Sequence, residues 1–539
     1  MAQRVAILGG GVGGLSAAQE LAERGFRVAV YEKQSVAGGK ARSISVPNTG
    51  TEGRKDLPGE HGFRFFPGFY RHIIDTMKRI PYGTNSNGVF DNLAEATRTQ
   101  IARAGKPSIV LPARLPQNPD DWVAAFRAFF ASCGSGVPEQ EILFFIDRLL
   151  VLLTSCEERR LAEYENIPWW TFIDAANKSV AYQRILAQGQ TRSLVAMRAE
   201  VSSTRTVGYI LLQFYFGAFA SASGFDRLLR GPTSDVWIDP WTEHLKRLGI
   251  ELHLNTPAQK LHVAGGRIAK VTAGGADVEA DYYVSALPVE VMAQLVTGEV
   301  KQAAPSLANL GALRTAWMNG IQFYLRRDVP VVHGHTLYAD SPWALTSISQ
   351  KQFWDRFDLT AYGDGRVAGI LSVDISDWES PGVLYGKPAA ACTAGQIAQE
   401  TWEQLKQHLN VGGARELDDA DLLSWFLDPD IRFPNPGTAT NAEPLLINTA
   451  GSLKHRPEAR TEAGNLFLAA DYVRTYTDIA CMEAANEAAR RAVNAILDAA
   501  GSPAKRCTLW PLEEPEAFQP VKKLDRLRFS LGLPHGKLA

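Results

Sequence analysis

The stretch VAILGGGVGGLSAAQELAERGFRVAVYEKQSVAGGKARS, residues 5–43, decides the fold. Val5–Leu8 is a short apolar run of the kind that forms a parallel strand buried on both faces. Gly9, Gly11 and Gly14 follow in G-x-G-x-x-G spacing. That spacing supplies a tight turn, close backbone approach to a pyrophosphate, and close helix–strand packing. Leu15, Ala18, Leu21 and Ala22 then recur at helical spacing, so a phosphate would meet the positive N-terminus of that helix. Val28–Tyr31 reads as the second strand. Glu32 ends it, where a carboxylate accepts hydrogen bonds from ribose hydroxyls.

The 539 residues exceed what one hydrophobic core organises, so two or three lobes are expected. With 45% hydrophobic and 21% charged residues, the composition is that of a soluble globular protein. A net charge of -2 argues neither for a nucleic-acid partner nor for a general pull toward anionic membranes, and no nucleic-acid partner is expected. The five cysteines, Cys133, Cys156, Cys392, Cys481 and Cys507, are scattered and never paired as C-x-x-C. They suit a reducing compartment and point to neither a disulfide framework nor a metal site. The sequence opens directly on its first strand, so no secretory or transit signal is expected, and no apolar run reaches the roughly 18 residues of a spanning helix. Leu143–Leu153, broken by Asp147 and Arg148, and Tyr209–Ala220 come nearest. They read either as buried core helices or as helices facing lipid or substrate. A cytoplasmic protein is expected, with peripheral contact as the extent of any membrane association.

Beyond the opening unit the pattern changes several times. Residues 44–58 (ISVPNTGTEGRKDLP) are rich in turn formers and read as an exposed excursion. From Asp120 an amphipathic helix is expected, with Trp122, Phe126, Phe129, Phe130 and Cys133 on one face, and helical patterns run on to about residue 230. Residues 237–263 return to strand character, and 265–288 read as a β-meander followed by a buried strand. Within the mixed region 301–454, strands are expected at Gly320–Leu325 and Val367–Ile375 and a helix at Ala394–Leu409. The α/β pattern closes in 465–497 with a strand, a polar loop and a long helix. The tail, 501–539, carries five prolines among charged residues and is expected to wrap the surface.

The opening unit followed by Gly38-Gly39-Lys40-Ala41-Arg42 resembles the flavin-dependent amine oxidase and carotenoid desaturase superfamily. There Lys40 and Arg42 put cationic donors near a diphosphate, and the glycines let the backbone pass close. Residues 465–471 (NLFLAAD) and Met482-Glu483-Ala484-Ala485 are similar to the superfamily's C-terminal FAD motif. That resemblance implies that Asp471 binds the ribityl or diphosphate region, and that the helix from Met482 aims its N-terminal N–H groups at the flavin N1–C2=O edge. Thr256–Leu261 with Ala280–Pro288 is the middle match, which gives Ala258 a backbone amide toward the adenine. FAD is the cofactor the resemblance implies. The fold class it implies is α/β, with a Rossmann-like FAD-binding domain assembled from three segments (1–72, 231–300 and 455–500). An inserted α+β substrate domain takes 73–230 and 301–454, and 501–539 is a C-terminal tail.

The segment EHGFRFFPGFY (60–70) resembles one in plant-type phytoene and ζ-carotene desaturases, with a looser version in hydroxysqualene dehydroxylases. It implies Gly62, Phe63 and Arg64 beside the flavin. WMNGIQFYL (317–325) is similar to the strand beneath the flavin, with Asn319 where many amine oxidases carry a lysine. Arg64 and Asn319 are therefore the candidate catalytic residues. Arg64 reads equally as a partner for phosphate or for a structural ion pair, and Asn319 as a residue satisfying backbone groups in a buried strand. Ala469-Ala470-Asp471 replaces the usual A-G-D, the loop YVRTYTDIAC (472–481) is polar, and His61 and Arg64 bring polarity toward the flavin. These departures weigh against a carotenoid substrate more than against flavin chemistry.

The resemblance implies an FAD-dependent oxidoreductase that desaturates or oxidises a lipophilic, isoprenoid- or carotenoid-like substrate by hydride transfer to flavin N5. Trp169-Trp170 and Phe214-Tyr215-Phe216 read as substrate-tunnel lining or as plain core. The alternative is a flavin amine oxidase acting on a primary or secondary amine, with Tyr472 and Tyr476 flanking the ring. A third reading is a non-catalytic prenyl-lipid-binding chaperone of the Rab escort type, which shares the general fold. With no second dinucleotide fingerprint evident, a quinone or oxygen is the expected electron acceptor.

Overall fold

Arg4–Leu8 (β1) and Arg27–Tyr31 (β2) run parallel, with Val5 opposite Val28 and Ile7 opposite Val30, and the helix Val12–Ala22 (α1) is their crossover. Both β1 and α1 are almost wholly buried, as expected of an element covered on two sides. The strands Glu251–His253, Tyr282–Ser285 and Leu466–Leu468 complete a five-stranded parallel sheet in the order 251–253, 27–31, 4–8, 282–285, 466–468. Segments far apart in sequence therefore meet in one sheet around β1. The computed structural model describes residues 2–112, 136–192, 197–219, 226–435 and 437–536. The helix expected from Asp120 lies outside these residues, as does the side chain of Phe216.

The helix Met482–Ala499 lies beside α1 on this sheet, tied to it by Asn486 Nδ2 donating to Ser16 Oγ at 2.7 Å. The expected strand character of 237–263 holds only for its second half. Asp239–Arg247 is a helix instead, with Pro240 in its first turn, His244, Lys246 and Arg247 in its last, and Trp241 and Leu245 buried four residues apart. Trp241 Nε1 donates to Gln19 Oε1 at 2.8 Å, which docks this helix on α1. Ala258–Ala264, Arg267–Ala273 and Ala276–Val278 form the expected meander before the buried strand at 282–285.

A second, seven-stranded sheet has the order 422–427, 319–325, 369–375, 345–349, 334–338, 98–103, 106–112. Its pairings are antiparallel except that between 334–338 and 98–103. Ile321 and Phe323 pair with Val373 and Leu371 on one face. The helix Ala394–Leu409, opened by a Thr393–Gln396 capping box, covers that face, with Trp402 5.1 Å from the Phe323 ring. The opposite face is different. It carries Gly320, Gln322, Thr346, Ser372 and Asp374 and turns toward residues 60–64.

The excursion at 44–58 is a closed hairpin rather than a free loop. Ser43–Ser45 pairs with Pro58–Glu60, and Asp56 accepts from the N–H groups of Thr49 and Gly50 at 2.9 and 2.8 Å. The tail is likewise built in: the helix Gln519–Ser530 places buried Asp525 against buried Arg159, 3.0 Å away. The two most apolar stretches, as far as they are described, fall in the helices Glu139–Thr154 and Thr204–Phe219, where Phe145, Leu149, Leu152, Ile210, Leu211 and Leu212 are buried. Among the described residues, no helix is long and apolar enough to cross a membrane.

Candidate active site

The glycine turn between β1 and α1 is shaped by backbone crowding. A Cβ on Gly13 would stand 1.9 Å from the Ala469 carbonyl oxygen, and one on Gly14 1.9 Å from that of Gly9. These contacts press α1 onto the strands and explain why sequence spacing alone was enough to find the turn. Gly11 differs: its Cβ would meet nothing nearer than Gly39 Cα at 3.7 Å, because it faces open space. That space belongs to a cavity of about 410 Å³. The first turn of α1 opens onto it with no side-chain cap on its N–H groups.

At one end of the cavity stand Glu32, Gln34, Pro257 and Ala258. The Glu32 carboxylate is already oriented, accepting from Gly10 N–H at 2.6 Å and Gln34 N–H at 2.8 Å. In the middle stand Gly9, Gly11, Gly38, Gly39, Lys40 and Asp471. Lys40 donates to the Pro444 carbonyl, and Arg64 Nη2 donates to the Lys40 carbonyl at 2.6 Å. Gly62, Phe63 and Arg64 mark the other end, and Met482 also lines the cavity.

This far end is formed where residues 60–64 lie on the open face of the seven-stranded sheet. Gly320 N–H donates to the His61 carbonyl at 2.7 Å, and Glu60 N–H to Gln322 Oε1 at 3.0 Å. Three further polar side chains reach the cavity from the sheet: His335, Thr346 and Asp374. All three are buried, and His335 Nε2, Thr346 Oγ1 and Asp374 Oδ1 have no hydrogen-bond partner, nor does Arg64 Nε. Burial raises the Asp374 carboxyl to about 7, against the pull of the Arg64 guanidinium. Burial pushes His335 down to about 3, so its ring is neutral, between Phe63 and Phe65 at 5.3 and 5.0 Å. Around these groups the wall is apolar, with Phe65, Phe69, Tyr70, Met197, Phe214 and Ile479.

Of the residues singled out in the sequence, Gly14, Arg42 and Asn319 stay away from the cavity. Arg42 is turned outward from it, bonded to the Gly39 carbonyl at 2.8 Å and 3.3 Å from Asp430. Asn319 shares the face of Ile321 and Phe323. Its Nδ2 donates to Asp428 Oδ2 at 2.6 Å and its Oδ1 accepts from Asn441 at 2.7 Å, so both ends are engaged within the protein. The buried trio His61, Asp428 and Asp430 has metal-like spacing, with ligand atoms within 4.8 Å of one another. Its carboxylates are already matched to Arg42, Asn319 and the His61 ring, whose Nδ1 is 2.7 Å from Asp428.

The polar loop 472–481 is polar for structural reasons. Buried Arg456 donates to the carbonyls of Asp471, Tyr472 and Val473 at 2.9, 3.0 and 2.6 Å, and Arg205 holds Asp478 at 2.7 Å. Tyr472 is fully buried outside the cavity, and Tyr476 is 40% exposed under the Arg491 guanidinium. The pair does not flank the site. Trp169 packs on Phe145 and Phe172 as core, whereas Phe214 does line the cavity. His335, Thr346 and Asp374 went unnoticed in the sequence. The available signal was LSVDIS (371–376), where polar residues alternate along a strand otherwise apolar.

The uncapped N-terminus of α1, the open side of Gly11 and the oriented Glu32 carboxylate together suit the diphosphate and ribose of a dinucleotide. Residues 12–497 match the family of flavin containing amine oxidoreductases. The chain is 23% identical to a 15-cis-phytoene desaturase of Synechococcus elongatus over 530 residues, covering 95% of this chain and 100% of that one. It is 24% identical over 529 residues to a zeta-carotene desaturase of Synechocystis, covering 92% and 97%. In structure it is similar to cyclohexylamine oxidase from Brevibacterium oxydans, with a TM-score of 0.59 at 12% identity over 93% of this chain and 100% of that one. With an α/β FAD-binding fold and a family match over most of its length, this chain belongs to the flavin containing amine oxidoreductases and is an FAD-dependent oxidoreductase.

Proposed function

We propose that this enzyme oxidises or desaturates a lipophilic, isoprenoid-type substrate. The observation that carries the reading is the apolar part of the cavity wall, Phe65, Phe69, Tyr70, Met197, Phe214 and Ile479, with Phe65 packed on His335 and Phe69 on Phe214. Desaturase relatives that match nearly the whole chain support it. The displacement of Tyr472 and Tyr476 from the cavity removes the feature that favoured an amine.

FAD, when bound, supplies the two-electron chemistry by accepting a hydride at its N5. The chain's own part is to bind, orient and exclude water. In this reading the backbone of Gly9–Gly13 and the N-terminus of α1 hold the diphosphate, with Lys40 as a cationic donor. Glu32 binds the ribose hydroxyls, and the Ala258 backbone amide meets the adenine. Asp471 takes the ribityl side, and the helix from Met482 lends its positive end to the ring. Gly62, Phe63 and Arg64 border the ring on the substrate side. Residues 1–72, 231–300 and 455–500 act as the FAD-binding domain, 73–230 and 301–454 as the substrate domain, and oxygen or a quinone takes the electrons.

The test is anaerobic bleaching of the holoenzyme's flavin absorbance by two panels, hydroisoprenoids in detergent and primary or secondary amines. Bleaching by isoprenoids is the expected result. Bleaching by amines alone overturns the proposal.

A further inference from the structure

The polar groups at the far end of the cavity are poorly matched to a pure hydrocarbon. His335, Thr346 and Asp374 come from three adjacent strands of the seven-stranded sheet, and their placement follows from register. Leu337 pairs with Thr346, Thr346 with Asp374, and Asp374 with Gly320, which makes one row across the sheet on one face. His335 lies two residues before Leu337 and shares that face. Gly62 covers the end of the row, at the level of Gly320 and Asp374. Each of the three side chains lines the cavity with a buried, unpartnered polar atom. Buried polar atoms are nearly always paired, so a row of orphans in one cavity marks the place of a missing partner.

The cofactor is a poor candidate for that partner at Asp374. The rim of an oxidised isoalloxazine presents carbonyl oxygens and ring nitrogens that accept, and N3–H is its single means of donating to an Asp374 oxygen. A substrate hydroxyl fits instead. It donates to an Asp374 carboxyl oxygen and accepts from the Thr346 hydroxyl or the His335 ring, whose neutral form carries one N–H. A cationic head group is disfavoured because Arg64 lines the same end with its Nε unpartnered. Next to the row the wall turns apolar, with Phe65, Phe69 and Phe214.

Building on the lipophilic-substrate reading above, we propose that Asp374, Thr346 and His335 form a subsite for a hydroxyl group carried on the substrate's apolar skeleton. The enzyme's substrate class is then an oxygenated lipophile, held by its hydroxyl at the sheet and by its hydrocarbon body along the aromatic wall. A site built to bond a hydroxyl discriminates strongly against the analogue lacking it, since its buried groups are then left unpaired.

The test measures binding rather than turnover. The holoenzyme is titrated with three C15 probes, farnesol, farnesene and farnesylamine, by the shift each produces in the flavin absorbance spectrum. The expected result is that farnesol binds at least about tenfold more tightly than farnesene or farnesylamine. Thr346→Val and His335→Phe, each checked for full flavin content and an unchanged melting temperature, then narrow that preference by weakening farnesol and sparing farnesene. Asp374→Asn, which keeps one acceptor oxygen, narrows it less. Equal binding of farnesol and farnesene overturns the subsite while leaving the lipophilic reading intact, as does a farnesol preference that survives Thr346→Val and His335→Phe combined. Preference for farnesylamine overturns it in favour of an amine. Failure of both farnesol and farnesene to bind overturns the lipophilic reading and the subsite together.

Discussion

Gly62 lies so close to Asp374 that a Cβ at position 62 would stand 2.6 Å from Asp374 Oδ1. The glycine and the carboxylate therefore share one space at the end of the cavity. Gly62→Ala forces one of them to move, an overpacking change worth about 1–3 kcal/mol. The expected outcome is a lower melting temperature, by that order, with weakened flavin retention. Shrinking the neighbour in the same chain, as Gly62→Ala with Asp374→Ala, restores stability by more than the single changes add to. A double-mutant cycle on thermal unfolding reads that coupling directly.

The two glycines at the start of α1 predict opposite phenotypes. Gly13→Ala drives a Cβ to 1.9 Å from the Ala469 carbonyl oxygen, where a rigid strand end cannot yield. The apoprotein itself loses stability, by about 3 kcal/mol or more. Gly11→Ala meets no protein atom closer than 3.7 Å and only fills cavity space. It leaves apoprotein melting unchanged while the flavin-to-protein ratio falls. Melting curves and flavin content, taken on both variants, separate the two cases.

The same steric logic explains what was legible in the sequence. A glycine turn is local, so its spacing exposed the βαβ unit, Glu32 and the cavity's middle without any tertiary information. The helix Ala394–Leu409 and the strand at 319–325 were equally readable, because their periodicity is internal. What failed was anything decided by which face of a strand looks where. Asn319 and Gly320 are neighbours, yet only Gly320 meets the cavity side, and one residue of register reverses that assignment. Asp374 was hidden for the same reason: its alternation with Val373 and Ile375 means something only once both faces of that strand are known to be buried. Tyr472 and Tyr476 went astray because the loop's path is set by Arg456, Arg205 and Asp478, which come together from distant parts of the chain.

Asp374 also sets an expected pH dependence. Burial raises its carboxyl to about 7, above the ordinary value near 3.9, so the folded state favours the protonated form. Its favourable contribution is fully present below about pH 4 and is lost as pH rises through about 7. A rise of that size corresponds to about 4 kcal/mol as an upper bound. Asp374→Asn removes the titration. The variant is therefore expected to gain stability relative to the parent between about pH 4 and pH 7, with the gap level above that. Denaturant midpoints measured across this range check both sign and window, and a gap that does not change with pH refutes the assignment.

Arg159 and Asp525 make the corresponding prediction for the tail. The pair is 3.0 Å apart and nearly inaccessible, and Arg159 also donates to the Leu533 carbonyl at 2.9 Å. Asp525 further accepts from the Cys156 N–H at 2.9 Å, at the start of the helix Glu157–Ala162. Removing Asp525 strands part of the buried Arg159 charge, which keeps the half-exposed Glu163 at 2.6 Å, so Asp525→Ala is expected to cost about 1–3 kcal/mol and to free the helix Gln519–Ser530 for proteolysis. Replacing both partners, as Arg159→Met with Asp525→Leu, removes the stranded charge and is expected to recover most of that loss. The bonds of Arg159 and Cys156 hold the Asp525 carboxyl below its ordinary value against the cost of burial. The clasp is therefore fully present above the ordinary carboxylate range and is lost as pH falls through the lowered value. Limited proteolysis at neutral and acid pH, read on the parent and both variants, tests the clasp: equal cleavage of the parent and Asp525→Ala at neutral pH would show that the ion pair does not hold the tail.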